Sequence, residues 1–89
     1  MHFHHPLLIE FPHYRDLILR LKQERPDFKA MADEYHDLDR HICLIERDLE
    51  AATDQKIEEL KFRRLHLKDK LYHEILVAAG EAPPVKPHA

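Results

Sequence analysis

The 89-residue sequence predicts an all-α protein: an antiparallel, coiled-coil-like helical hairpin with a short N-terminal helix packed near its base. Three observations carry that expectation. Apolar residues recur at alternating spacings of three and four along one long segment, a second such segment of nearly equal length follows it, and prolines stand where helices must begin or stop.

The clearest element is the second helix, about 27 to 51, in which Phe28, Met31, Tyr35, Leu38, Ile42, Ile45, Leu49 and Ala52 form an unbroken heptad seam. Thr53 and Asp54 then offer an N-cap. From there a third helix, about 54 to 79, carries Ile57, Leu60, Arg64, Leu67, Leu71 and Ala78 in the same repeat, with Ile75 one place out of phase. Gly80 and the Pro83-Pro84 pair stop it, and residues 80 to 89 are expected to be disordered. Before the hairpin, Pro12 suits a first helical turn, and Phe11, Tyr14, Leu17, Ile18 and Leu21 share one face of a short helix over about 12 to 24. Pro26 ends that helix and opens the next. Residues 1 to 10 show no helical period and read as a flexible, histidine-rich arm.

Two long helices of matched length suit an antiparallel pair. With the turn centred on Ala52 and Thr53, Leu49 faces Ile57, Ile45 faces Leu60, Leu38 faces Leu67, Tyr35 faces Leu71 and Met31 faces Ile75. The same register brings Glu46 to Lys61, Asp39 to Lys68, Asp48 to Lys56 and Glu34 to Lys70, with His41 opposite Arg63 as a poor match. Arg64 falls in the seam, where its stem packs and its guanidinium reaches out towards Asp39.

A second apolar stripe on the third helix, Phe62, Leu65, Tyr72 and Leu76, faces away from the seam. Folded back from the Pro26 corner, the first helix reaches Tyr72 and Leu76 and falls short of Phe62. Phe62, Leu65, Tyr72, Leu76 and the nearby Leu44 are therefore the candidate interaction residues.

The composition removes most chemistry. There are 17 acidic and 14 basic side chains, one Gly, one Cys, one Thr and no Ser, so a hydroxyl nucleophile has almost no candidate and a glycine-rich phosphate loop is excluded. Cys43 lies in Ile42-Cys43-Leu44 without the cationic setting that activates a thiol. No enzyme, cofactor or metal site is expected. Nine histidines raise a metal question, but His2, His4 and His5 sit on the arm, and Asp37 with His41, and His66 with Asp69 and His73, point mainly to solvent. Arg63, Arg64, Lys61, Lys68 and Lys70 make the third helix locally basic, though cross-hairpin acids neutralise much of that charge. A histidine-assisted metal-binding or RNA-binding accessory module is thus the second reading, behind helix-mediated contact with itself or another protein. The lone cysteine, the short apolar runs and an N-terminus without signal-peptide character lead to a cytoplasmic expectation, with no membrane, nucleic-acid or small-molecule partner.

The run Phe11-Pro12-His13-Tyr14-Arg15-Asp16-Leu17-Ile18, followed by Leu21-Lys22, Pro26, Phe28, Leu38-Asp39, Ile42 and Leu65-His66-Leu67-Lys68-Asp69, resembles the YdcH-like family of small bacterial proteins. The likeness covers residues 11 to about 76 and leaves out the arm, the tail and the short turn at Ala51 to Asp54. It implies a helical hairpin of unknown function with coiled-coil character, and brings no catalytic residues.

Overall fold

A computed structural model describes residues 6–82. Its helices run α1 (Pro6–Glu10), a 3-10 turn (Pro12–Tyr14), α2 (Arg15–Glu24), α3 (Pro26–Glu46) and α4 (Asp54–Ala78), and no strand occurs among the described residues. The α3 and α4 helices pack against each other as the hairpin, while α2 folds back chiefly onto α3 and touches α4 less. The protein is all-α, and its helices close around one core.

The turn from α2 to α3 follows from Pro26. Its ring disfavours helical geometry at the preceding residue, and Arg25 is accordingly extended (φ −125°, ψ 103°). The proline itself takes the first helical position of α3, where a missing N–H costs nothing. Arg25 then clamps the corner: its guanidinium donates to Asp27 at 2.6 Å and to Glu74 of α4 at 2.9 Å. At the far end of the hairpin, the Thr53 hydroxyl accepts from the Lys56 N–H at 3.1 Å and caps α4.

α3 ends at Glu46 rather than near 51. Asp48 takes the left-handed conformation (φ 58°), its N–H bonds to the Ile45 carbonyl, and the Leu49 N–H bonds to the Leu44 carbonyl. That pair of bonds is a Schellman closure, with aspartate where glycine is usual. α4 ends by the same device: Gly80 has φ 75°, its N–H bonds to Val77, and the Glu81 N–H bonds to Leu76.

The early stop takes Leu49 and Ala52 out of the seam and leaves both exposed. Phe28, Tyr35, Leu38, Ile42 and Ile45 of α3 are buried, as are Leu60, Leu67, Leu71 and Ile75 of α4. Met31, Ile57 and Arg64 are half-buried. Ile75 is fully buried and Ala78 is exposed, because a straight helix of 3.6 residues per turn drifts off a strict heptad. Ala32 also joins the core.

Residues 6–10 are not a flexible arm. Pro6 opens α1, Leu7 is buried in the core, and Leu8 and Phe11 pack against it. The short apolar run that showed no period in sequence is one helical turn whose inner face is covered. Residues 1–5, with His2, His4 and His5, and residues 83–89 lie outside the described residues. The first part of the expected tail is ordered by contact, since the Tyr14 hydroxyl donates to the Glu81 carboxylate.

Candidate functional site

The hairpin buries one side of α4 and leaves the opposite side to be covered or to remain open. Near the base it is partly covered. Tyr72 stacks with Phe11 at a ring-centroid distance of 4.8 Å and an interplanar angle of 2°, and Leu76 is half-buried. Halfway along α4 the cover ends: Phe62 is 72% exposed and Leu65 52% exposed. Leu44, on α3, is half-buried and lines a shallow recess with Asp37, Arg40, His41 and Glu50, not with Phe62. Of the five candidate residues, Phe62 and Leu65 thus form the most open apolar surface, Tyr72 is stacked on one face yet 41% exposed, Leu76 is half-buried, and Leu44 stands apart.

Charged side chains border the two open residues on either flank of α4. On one flank, Phe62 lines a cleft with Glu34, Arg63, His66 and Lys70, and Arg63 donates to Glu34 at 3.1 Å. On the other, Leu65 lines a cleft with Glu10, Tyr35, Asp39, Lys61, Arg64 and Lys68. Each cation of that second cleft has a carboxylate: Lys61 meets Glu46 at 3.6 Å, Arg64 meets Asp39 at 2.9 Å, and Lys68 meets Glu10 at 2.8 Å. The Glu10 carboxylate holds the Lys68 ammonium above its ordinary pKa.

The charge pattern differs from the sequence register in three of its four pairs. Glu46 takes Lys61 as expected, and Arg64 reaches Asp39. Glu34 takes Arg63 instead of Lys70, and Lys68 turns to Glu10 instead of Asp39. Asp48 has left the helix, and His41 meets Glu50 at 3.2 Å rather than facing Arg63. The loss of Asp48 traces to the seven-residue connection Arg47–Thr53 and the turn of Lys68 to α1, neither of which a two-residue turn and a loose arm provide for; nothing in the structure explains the choice of Glu34.

Among the described residues no three His, Cys, Asp or Glu side chains converge on a common point. His66, Asp69 and His73 do line one cleft with Met31, Lys70 and Glu74, and there the His73 Nε2 is buried without a hydrogen-bond partner. Among the described residues, too, no helix is long and apolar enough to cross a membrane.

Fold and surface together define a small helical-hairpin protein with an exposed aromatic residue midway along one long helix. Residues 28–74 match the model of a family described as a protein of unknown function (DUF465), and the chain belongs to that family. It is 38% identical over 61 residues to the uncharacterized protein YdcH of Escherichia coli (strain K12), a match spanning 68% of this chain and 82% of the relative. The uncharacterized protein YdcH of Shigella flexneri matches to the same extent. No solved structure matches the chain.

Proposed function

We propose that this chain is a non-enzymatic, cytoplasmic interaction protein that acts by helix-to-helix contact, with a second copy of itself or with another protein, through the outer face of α4. The observation that supports this reading is Phe62, a large aromatic side chain 72% exposed in the middle of a well-formed helix, with Leu65 beside it at 52%. The charged residues on either flank suit the rim of such a contact, where they select orientation more than they add affinity.

The test is solution mass by sedimentation over about a hundredfold concentration range, for the wild type and for Phe62→Glu. An oligomer that grows with concentration and is dissociated by Phe62→Glu supports self-association. A monomer of equal mass in both proteins at every concentration rejects it and leaves a different protein as the partner.

A further inference from the structure

The N-terminal segment 6–14 lies along the hairpin as a strap. Three contacts mark its course: the Tyr14 hydroxyl on Glu81, the Phe11 ring on Tyr72, and Glu10 on Lys68. Read in that order, they advance along α4 from its end towards the hairpin tip. The strap's last turn, α1, packs on α3 and contributes Leu7 to the core. Because the Phe11 N–H bonds to the Leu7 carbonyl at 3.0 Å, Leu7, Glu10 and Phe11 stand at helical spacings of three and four and share one face.

We propose that the groove beneath this strap is a docking groove for a short amphipathic, acidic helix of a partner protein, and that the strap is its intramolecular occupant. The strap itself shows what the groove accepts: an apolar anchor in place of Leu7, a carboxylate three residues later for Lys68, and an aromatic or aliphatic residue next to it for Tyr72. Two further observations support an occupant from outside. First, a five-residue helix of about 7.5 Å does not hold itself together in water, so α1 is held by its contacts with the hairpin rather than by its own hydrogen bonds. Second, the groove is longer than the strap. A cleft of about 320 Å³ continues past Glu10, lined by Tyr35, Asp39, Arg64 and Leu65, and a longer helix fills what α1 leaves open. The groove residues Tyr35, Asp39, Arg64, Lys68 and Tyr72 all fall within the family match over 28–74. The groove borders the open surface at Leu65 but excludes Phe62, which lines the opposite flank of α4, and the inference does not rest on self-association.

The experiment uses a fluorescein-labelled peptide of residues 6–14 as the probe, with fluorescence anisotropy as the readout, against full-length wild type, Glu10→Lys and the double variant Leu7→Asp with Glu10→Lys. The double variant ejects its own strap and is expected to bind the peptide at least about tenfold more tightly than the wild type, whose groove is occupied most of the time. A peptide carrying Glu10→Lys should lose that binding. Equal binding by wild type and double variant, or no binding to a double variant that keeps its helical circular dichroism, overturns the proposal. If the double variant does not fold, hydrogen exchange of the wild type decides. Exchange of the Phe11 amide ahead of the buried α3 and α4 amides shows a strap that opens alone and supports the groove; exchange of all of them at one rate makes the strap an inseparable part of the core and overturns it. None of these readouts depends on molecular mass, so failure here and failure of the self-association reading are separable.

Discussion

Leu71 and Leu49 carry the same side chain and have opposite energetic roles. Leu71 is fully buried in the hairpin, whereas Leu49 is 71% exposed on the connection between its helices. Leu71→Ala should therefore cost about 2–5 kcal/mol in denaturant unfolding and Leu49→Ala less than about 0.5 kcal/mol. Equal costs would place Leu49 back in the seam. His73 offers a prediction of opposite sign. Its Nε2 is buried with no partner, a burden on the order of 1–3 kcal/mol, so His73→Leu should raise the unfolding midpoint. A lowered midpoint would mean that the imidazole has a partner in solution. Arg64 resolves the same conflict differently: its stem stays in the half-buried seam and its guanidinium reaches Asp39 at 2.9 Å, as its position in the heptad implies.

Helix ends decide what the heptad leaves open. Both long helices finish in the same closure, one on Gly80 at φ 75° and the other on Asp48 at φ 58°. A left-handed backbone suits glycine and strains most other residues, with aspartate among the better tolerated. Asp48→Gly should thus stabilise the protein by about 0.5–1 kcal/mol and Gly80→Ala destabilise it by a similar amount. Thermal melts of the two variants check both, and shifts in the same direction would contradict the shared geometry. The end of α4 was legible because Gly80 announces it, while the end of α3 was not, because Asp48 looks like any helix-surface residue when Leu49 and Ala52 continue the repeat behind it. The strap was hidden for a related reason. Periodicity needs two or more turns to register, and Pro6–Glu10 makes little more than one. The core faces of α3 and α4 were legible almost residue by residue. Of the candidate surface, Phe62 and Leu65 could be read from their spacing, but the cover over Tyr72 came from Phe11, an aromatic ring that the sequence assigns to the first helix's own face.

At the scale of the whole molecule, the ion pairs set the dependence of stability on pH. Arg25 beside Asp27, and Lys29 beside Asp33, hold both carboxyls below the ordinary aspartate range. A carboxyl whose folded pKa is depressed contributes stability above its unfolded pKa, near ~4, and that contribution is lost as pH falls through the folded value. The unfolding temperature should therefore decline below about pH 4, and Asp27→Asn should flatten part of that decline. An identical acid profile for the two proteins would assign the loss to other groups. At the alkaline end the sign reverses: Lys68, held up by Glu10, gives stability that is complete below its unfolded pKa and is lost as pH rises through the folded one.

The bond between Tyr14 and Glu81 gives the molecule a distinct mechanical character. It ties the entry to α2 to the end of α4 at the open base of the hairpin, where Arg25 also bridges to Glu74. Tension applied through the chain ends consequently loads the strap first and the base fastenings at Tyr14 and Arg25 after it, like a zip drawn from one side, instead of shearing the whole α3–α4 seam at once. The strap and base should part at low force, with the Thr53-capped tip the last region to yield.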